Sequence, residues 1–236
     1  MSETLQSCAM RRSSVPSHLT VLFAAIVTAA SSTEVAAQDP TPAPLPTPPM
    51  TVFVVDARGG RAWLSQDATV AAALGVQPTA LPSRGWGFVV GAHVYPIRAK
   101  KFAVGFGAEM LRIGGSNTIE AETEDGIDGP TIQTKWSHLS PQVSFNFGAR
   151  DGWSYITVGL GRSKLTMENE DEPQEDPESA VGTLNYGGGA RWFMKKHLAF
   201  TVDLRFYSIN AQEATTGRIA TPKMRLRVFT AGISIR

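Results

Sequence analysis

Ionisable side chains of both signs recur at alternate positions, within stretches that are otherwise apolar or rich in glycine. Asp56 and Arg58 are separated by a single residue, and so are Asp203 and Arg205. This spacing places two side chains on the same face of a β-strand. Opposite charges that share a buried face are expected to pair, because an unpaired buried charge is costly. The predicted buried polar network consists of Asp56, Arg58, His93, Glu109, Arg191, Asp203 and Arg205.

Two functions are open to such a network. It can hold a closed interior together by salt bridges, with Arg191 and Arg205 held by Glu109 and Asp203. Alternatively, it can form a gated path for protons or ions. We favour the salt-bridge interpretation, because opposite charges in a narrow interior should find one another. His93 is expected to be a satisfied interior residue rather than a metal ligand or a general base.

A histidine and a serine lie close together at His138-Leu139-Ser140, the only candidate for nucleophilic catalysis. An enzyme that cleaves or transfers lipid A acyl chains needs a serine, a histidine and a carboxylate grouped on its lipid-facing side. Ser140 lies an even number of residues from Gln142 and Ser144, so it belongs to the polar face, away from acyl chains. We therefore predict no catalytic residue and no cofactor, and keep a lipid A-modifying enzyme as the alternative.

Alternation of apolar with small or polar residues is the dominant pattern of the chain. In residues 143–161, VSFNFGARDGWSYITVGLG, the alternation breaks at 149–152 and then resumes, as expected for two strands joined by a tight turn. Stretches of this kind, with weaker ones at 51–65 and 225–236, add up to eight strands. Short connections alternate with long ones, which is typical of an outer-membrane up-and-down barrel. The short ones are 96–101, 149–152 and 194–197, and the long ones are 66–84, 114–133, 167–179 and 209–223.

Side-chain volume decides which face of the predicted barrel points inward. The interior of an eight-stranded barrel is only just wide enough for its side chains, so the face of Trp, Phe, Val and Leu is too bulky to fold inward. That face must meet lipid, while the Gly, Ser, Asn and Thr face fills the lumen. The alternative is a soluble periplasmic carrier of a hydrophobic ligand with a lipocalin-like barrel, which would need Lys and Glu densely along its outer face.

The N-terminal residues have the composition of a targeting segment. Arg11 and Arg12 precede an apolar run at 19–30, and small residues follow as far as Ala37. The run is well short of the roughly 20 residues that a spanning helix needs, so it indicates a secretory signal peptide. The predicted domains are a signal peptide at 1–37, a Pro-rich periplasmic linker at 38–50 and an outer-membrane β-barrel at 51–236.

Composition excludes several classes of site. The net charge is +1 and no basic aromatic cluster occurs, so we expect no nucleic-acid partner. The one cysteine, Cys8, lies within the predicted signal peptide. The mature chain can therefore form no disulfide, cysteine zinc site or c-type haem attachment, and no metal site is predicted.

The stretches KFAVGFGAEM, YITVGLG, LNYGGGARWF and VFTAGISIR resemble strands of the small outer-membrane β-barrel family, with the OmpA-like transmembrane domain of the porin-like barrel superfamily. The resemblance implies an all-β, eight-stranded antiparallel up-and-down transmembrane barrel with a side-chain-filled lumen. Its expected location is the outer membrane of a Gram-negative-type bacterium, with both termini periplasmic. It further implies a non-enzymatic monomer that supports envelope integrity or surface interactions. The expected partners are outer-membrane lipid, lipopolysaccharide and the barrel assembly machinery.

The chain departs from the family pattern in two places. Arg236 stands where such barrels usually finish on an aromatic residue, which bears on the C-terminal assembly signal. No peptidoglycan-binding domain follows the last predicted strand, so a cell-wall anchoring role is not expected.

A belt of cations is predicted just above the apolar band. Alternation places five basic residues outward at the loop-side ends of their strands, near the level of Trp63, Trp86 and Tyr186. Cations near an anionic membrane surface are stabilised, and lipopolysaccharide phosphates lie at this level. The alternative is ordinary snorkelling of long side chains at the interface. The candidate phosphate contacts are Arg112, Lys135, Arg162, Lys164 and Arg227, and the hypothesis centres on Arg112, Arg162 and Arg227.

Two of the long loops are acidic, at 120–128 and 168–178. Runs of like charge usually form solvated loops, and that is the interpretation favoured here. Divalent-cation bridging or contact with a basic partner is the alternative. The segment ETEDGIDG lacks the ligand spacing of an EF-hand, so specific calcium binding is not predicted.

Overall fold

The computed structural model describes residues 51–99, 101–121, 128–149, 152–175 and 179–236. Its eight antiparallel strands form a closed barrel in chain order, and the first strand closes the sheet by pairing with the last. The predicted fold class is therefore confirmed. The predicted signal peptide and linker lie outside the described residues. The strands are β1 Phe53–Trp63, β2 Arg84–Arg98, β3 Phe102–Thr118, β4 Thr131–Ala149, β5 Gly152–Asn169, β6 Val181–Phe193, β7 Leu198–Ile209 and β8 Met224–Ile235.

The two faces of the strands differ as the alternation predicts. On β5, Ile156 and Leu160 point outward with exposed fractions of 56% and 70%, whereas Thr157 points inward and is 1% exposed. Every strand carries exposed large apolar side chains on its outer face. A continuous apolar belt of this kind is far larger than the patches that soluble monomers expose, so the outer wall is a lipid-facing surface.

Within the described residues, no helix is both long enough and apolar enough to cross a membrane.

Strands β3 and β4 are longer than expected. They stay paired as far as Thr118 and Thr131, so the connection predicted at 114–133 is shorter in the structure. Residues 114–118, GGSNT, contain no large apolar side chain. The hydrophobic alternation that indicates the other strands is therefore absent here. The inter-strand hydrogen bonds use backbone groups alone and therefore continue through this stretch.

Large apolar side chains fill both ends of the lumen, although the sequence pattern predicts small and polar residues throughout. At the loop end, the rings of Trp136 and Tyr207 meet edge to face with centroids 4.8 Å apart. Glycines on neighbouring strands leave the space: a Cβ on Gly85 would lie 2.6 Å from Ile113 Cγ2. The lumen thus has a polar middle between two apolar layers. The layer at the short-turn end consists of Val54, Tyr95, Ala103, Trp153, Phe193 and Ala199.

The connection between β1 and β2 folds onto the loop end of the barrel. It contains one short helix, α1 Ala68–Ala73, whose N-cap Asp67 accepts a hydrogen bond from Thr69 N at 2.8 Å. Val70 and Leu81 of this connection are buried in the same cluster as the apolar residues of the loop-side lumen. A helix of six residues is too short to produce a recognisable helical period, so sequence analysis did not predict this cap.

Candidate functional site

Four charged side chains of the lumen form a closed ring of ion pairs. Arg58 of β1 pairs with Glu109 of β3, and its Nη1 lies 3.1 Å from Asp203 Oδ2 on β7. Arg205, also on β7, places Nη1 3.0 Å from Glu109 Oε1 and Nε 2.8 Å from Asp203 Oδ1. All four side chains are at most 3% exposed. Each arginine contacts both carboxylates, so the ring ties three strands together across the lumen.

A second ion pair lies nearer the short turns. Arg191 of β6 donates to Asp56 of β1 through both prongs of its guanidinium, with Nη2 2.7 Å from Oδ2 and Nε 3.2 Å from Oδ1. Ser234 donates a further hydrogen bond to the same carboxylate. The guanidinium carbon of Arg191 lies 4.3 Å from the ring centre of Tyr155. Such two-pronged pairs are among the strongest hydrogen-bonded arrangements in proteins.

The partner of Arg191 differs from the expected one. The sequence predicts Glu109 or Asp203 as its partner, whereas in the structure Arg191 pairs with Asp56. Arg191 lies opposite Thr201, one inward position nearer the short turns than Asp203. Strands of a closed barrel are staggered, and this stagger, which spacing along the chain cannot reveal, decides which inward charges meet.

Two tyrosines complete the charged ring. Tyr155 donates a hydrogen bond to Asp203 Oδ2 at 2.8 Å, and Tyr207 donates to Glu109 Oε1 at 3.5 Å. Neither tyrosine was predicted from the sequence, although Tyr207 lies two residues from Arg205 and so shares its inward face. Alternation could have identified these hydroxyls as acceptors or donors inside the lumen.

His93 lies beside the Arg191 pair, with Nδ1 3.9 Å from Asp56 Oδ2. It is 2% exposed, and its ring stacks on Tyr95 with centroids 6.4 Å apart. Within the described part of the chain, neither ring nitrogen has a hydrogen-bond partner. The expectation of a satisfied histidine is therefore not met. Its neighbours across the two strand ladders are Val54 and Gly107, which offer no polar side chain.

The histidine and serine considered for catalysis both lie inside the barrel. His138 Nδ1 is 3.0 Å from Ser163 Oγ, and Asn185 donates to Ser140 Oγ at 2.8 Å. Asn185 Nδ2 also lies 3.0 Å from His138 Nε2. All four side chains are buried. The arrangement is a hydrogen-bonded chain across β4, β5 and β6, on the face away from lipid.

Outside the barrel, four of the five candidate phosphate contacts meet on one wall. Arg112 of β3 and Lys164 of β5 lie on either side of Ser137 of β4 in the strand registers. The neighbouring outward positions are Lys135, which pairs across β5 with Thr166, and Leu139, which pairs with Arg162. We call Arg112, Lys135, Arg162 and Lys164 the basic cluster.

The fifth candidate, Arg227, lies elsewhere. It is on β8, which is four strands from β4 in either direction around the barrel. Its guanidinium carbon lies 5.7 Å from the ring centre of Trp63, and Arg61 lies 5.7 Å from that of Trp86. Alternation therefore placed the five candidates on the outward face, but it could not indicate which wall each one occupies.

No protein-family model and no curated protein matches the chain. Similar solved structures are the neisserial surface protein A, at 12% identity and TM-score 0.49 over 78% of this chain and 97% of that one, and OprG of Pseudomonas aeruginosa, at 13% and 0.42 over 78% and 95%. Ail of Yersinia pestis, solved in complex with the heparin analogue sucrose octasulfate, matches at 13% and 0.40 over 78% and 99%. These neighbours are small outer-membrane barrels. With such values, the fold of this chain is assigned from its own strand pairing.

The acidic loops are described in part. Glu122, Glu124, Asp125, Asp176 and Glu178 lie outside the described residues. In the described parts of the chain, no group of three or more His, Cys, Asp or Glu side chains could hold a metal ion. Glu168, by contrast, is 5% exposed: it pairs with the ammonium of Lys135 at 2.8 Å and accepts a hydrogen bond from Gln174 N at 3.1 Å. Glu168, predicted as part of the acidic loop at 168–178, therefore belongs to strand β5 and packs on the outer wall of the barrel.

Proposed function

We propose that the chain is a non-enzymatic outer-membrane barrel that passes no solute and supports the integrity or surface interactions of the envelope. The observation that carries the proposal is the filled lumen. The charged ring of Arg58, Glu109, Asp203 and Arg205 crosses its middle. Apolar layers close it at both ends, and the β1–β2 connection packs over the loop end. A solute would have to break buried ion pairs, which is costly.

The outer-membrane location is supported by the lipid-facing wall. Trp86 and Leu160 are 67% and 70% exposed, and burial in hydrocarbon is the environment that such side chains favour. The even number of strands brings both ends of the barrel to the side of the short connections. In the proposed orientation this side is the periplasm, and the chain acts as a monomer inserted by the barrel assembly machinery.

The absence of catalysis is part of the proposal. Ser140 and His138 are buried in the lumen, so a lipid acyl ester at the outer wall cannot reach them. Incubation of the folded barrel with lipid A should release no fatty acid. If release occurs and is lost in Ser140→Ala, the chain is an enzyme instead.

Two measurements test the proposal. Membrane fractionation should recover the chain with the outer membrane, and unheated samples should migrate differently from boiled ones on a gel. Reconstitution in planar bilayers should give no steady unitary conductance, with a general porin as the positive control. A soluble product without a mobility shift would contradict the barrel in the membrane. A steady conductance would contradict the closed lumen.

A further inference from the structure

We propose that the outer wall formed by β3, β4 and β5 is a specific binding track for one phosphorylated, multiply acylated glycolipid, the lipid A portion of lipopolysaccharide. The inference rests on the proposed outer-membrane location. In this track the basic cluster holds a headgroup phosphate, and an apolar groove below it holds an acyl chain.

The apolar groove lies on the lipid-facing side of β4. Pro141, whose side chain is short, lies between the taller Phe106 and Leu160, which are 50% and 70% exposed. The depression has a volume of about 360 Å³ and is also lined by Val143 and Val158. The Phe106 and Leu160 rims stand outward from the sheet, so the depression is open to lipid and not to the lumen. Its shape and lining suit a hydrocarbon chain lying along the strand.

Two further grooves follow directly above on the same strand. One, of about 330 Å³, is lined by Met110, Leu139 and Arg162 among others, and the next, of about 300 Å³, by Lys135 and Trp136. Arg112, Ser137 and Lys164 line both. The outward side chains of β4 therefore change from apolar to polar to basic in the direction of the loops, reading Val143, Pro141, Leu139, Ser137 and Lys135.

The spacing of these grooves matches an amphiphile. Ser137, at the centre of the basic cluster, is four residues from Pro141 along β4, which corresponds to about 13 Å at the usual rise of a strand. A lipid with its phosphate between Arg112 and Lys164 would thus lay the first part of an acyl chain in the groove at Pro141. A snorkelling belt alone requires cations around the barrel, but it requires no apolar groove beneath them.

The cations of the track are placed to receive an anion. Arg112 is exposed, and the described residues give it no ion-pair partner. Lys135 contacts Glu168, yet its side chain remains 65% exposed, so its ammonium can contact a second anion. Arg162 uses Nη2 to donate to Ala180 O at 3.0 Å, which holds the guanidinium beside the groove. Arginine forms two-pronged hydrogen bonds with phosphate oxygens, which favours a phosphate over a single-point contact.

The test compares two walls of the same barrel. The track variant is Arg112→Gln with Lys164→Gln, which leaves the Lys135–Glu168 pair intact. The matched control is Arg61→Gln with Arg84→Gln, two outward cations of β1 and β2 that line none of the three grooves. Each protein is purified from envelopes in mild detergent, and the lipid A retained per barrel is measured by mass spectrometry. We expect the track variant to retain at least about tenfold less than wild type, and the control to retain nearly the wild-type amount.

Defined lipids then distinguish the sources of phosphate. Lipid-free barrel is titrated with lipid A, with lipid A whose phosphates have been removed, with phosphatidylglycerol and with inorganic phosphate. Lipid A should bind most tightly, and loss of its phosphates should abolish the difference between wild type and the track variant. Val158→Trp should fill the apolar groove. It should weaken the binding of lipid A without affecting the binding of inorganic phosphate. Val90→Trp, at a lipid-facing position of β2, is its control.

Several results would overturn the track. These are an unchanged amount of lipid A retained by the track variant, an equal loss in the control variant of β1 and β2, or equal binding of phosphatidylglycerol and lipid A. Fractionation and heat-dependent mobility are measured on every variant. A wild-type chain absent from the outer membrane would contradict the proposed function itself, whereas a correctly located barrel with unchanged lipid A contradicts the track alone.

Discussion

The lumen and the outer wall carry the same types of charged side chain in opposite surroundings. Inside, Arg58 and Arg205 are at most 3% exposed and each contacts two carboxylates. Outside, Lys135 is 65% exposed and contacts Glu168, and Arg112 has no ion-pair partner among the described residues. A buried charge must be neutralised by the protein, whereas a charge at the interface can be neutralised by water or lipid. We therefore expect loss of a lumen charge to destabilise the fold, and we expect Arg112 and Lys135 on the wall to remain accessible to an anion.

The largest expected effect comes from breaking the charged ring. Glu109→Gln keeps the shape of the side chain but removes the carboxylate that Arg58 and Arg205 share. Asp203 alone would then neutralise two buried guanidinium groups, so we expect a loss of about 3–5 kcal/mol in the free energy of unfolding. Urea unfolding in detergent micelles measures it, with Glu170→Gln on the exposed surface as the control. Equal stability of the two variants would mean that water reaches the ring.

A smaller loss is expected where the cap meets the lumen. Leu81 of the β1–β2 connection is 1% exposed within the loop-side cluster. Leu81→Ala leaves a cavity, and we expect a cost of about 2–3 kcal/mol, because a surface connection can partly collapse into the space. Leu160→Ala on the lipid-facing wall, where the side chain is 70% exposed, is the matched control and should lose less in the same unfolding experiment. The opposite ranking would show that the cap does not stabilise the barrel.

Alternation in the sequence predicts the strands well, because one face meets lipid and the other meets a narrow lumen. It also places Glu109 and Arg205 inward and Arg112 outward. It does not predict partners across the barrel. The pairing of Arg191 with Asp56 depends on the stagger of the strands, which is a property of the closed sheet and not of any one strand.

Two other features could not be predicted from the sequence. The apolar layer at the loop end uses inward positions such as Ile113, whose bulk is accommodated because Gly85 of the neighbouring strand has no side chain. A rule based on the average width of a barrel cannot detect such compensation. The grouping of Lys135 and Lys164 on one wall, away from Arg227, becomes evident only when the order of strands around the barrel is known.

A local effect is expected at the helix of the cap. Asp67 accepts hydrogen bonds from Thr69 N and Val70 N at 2.8 and 3.4 Å, so Asp67→Ala should destabilise α1 by about 1 kcal/mol. Hydrogen exchange of the amides in the β1–β2 connection measures this, and Asp67→Asn, which retains a capping oxygen, should behave like wild type. The amides of the lumen strands serve as the internal reference. Faster exchange in those strands as well would show that the cap and the charged ring unfold together.

The smallest expected effect is at the ion pair of the outer wall, and it provides the sharpest comparison with the ring. Lys135 and Glu168 are 2.8 Å apart, but the lysine is 65% exposed, so solvent screens the attraction. Lys135→Gln, Glu168→Gln and the double variant form a cycle in which we expect a coupling energy below about 1 kcal/mol. The same Glu→Gln change in the ring is expected to cost several times more in the free energy of unfolding, because Glu109 is shared by two buried arginines.

A coupling energy between Lys135 and Glu168 as large as the stability lost in Glu109→Gln would remove the distinction between structural charges inside the barrel and binding charges outside it. A small coupling energy, together with a wild-type amount of lipid A retained by Glu168→Gln, would support an exchange at Lys135. In that exchange the lysine replaces a protein carboxylate by a lipid phosphate without a loss of stability.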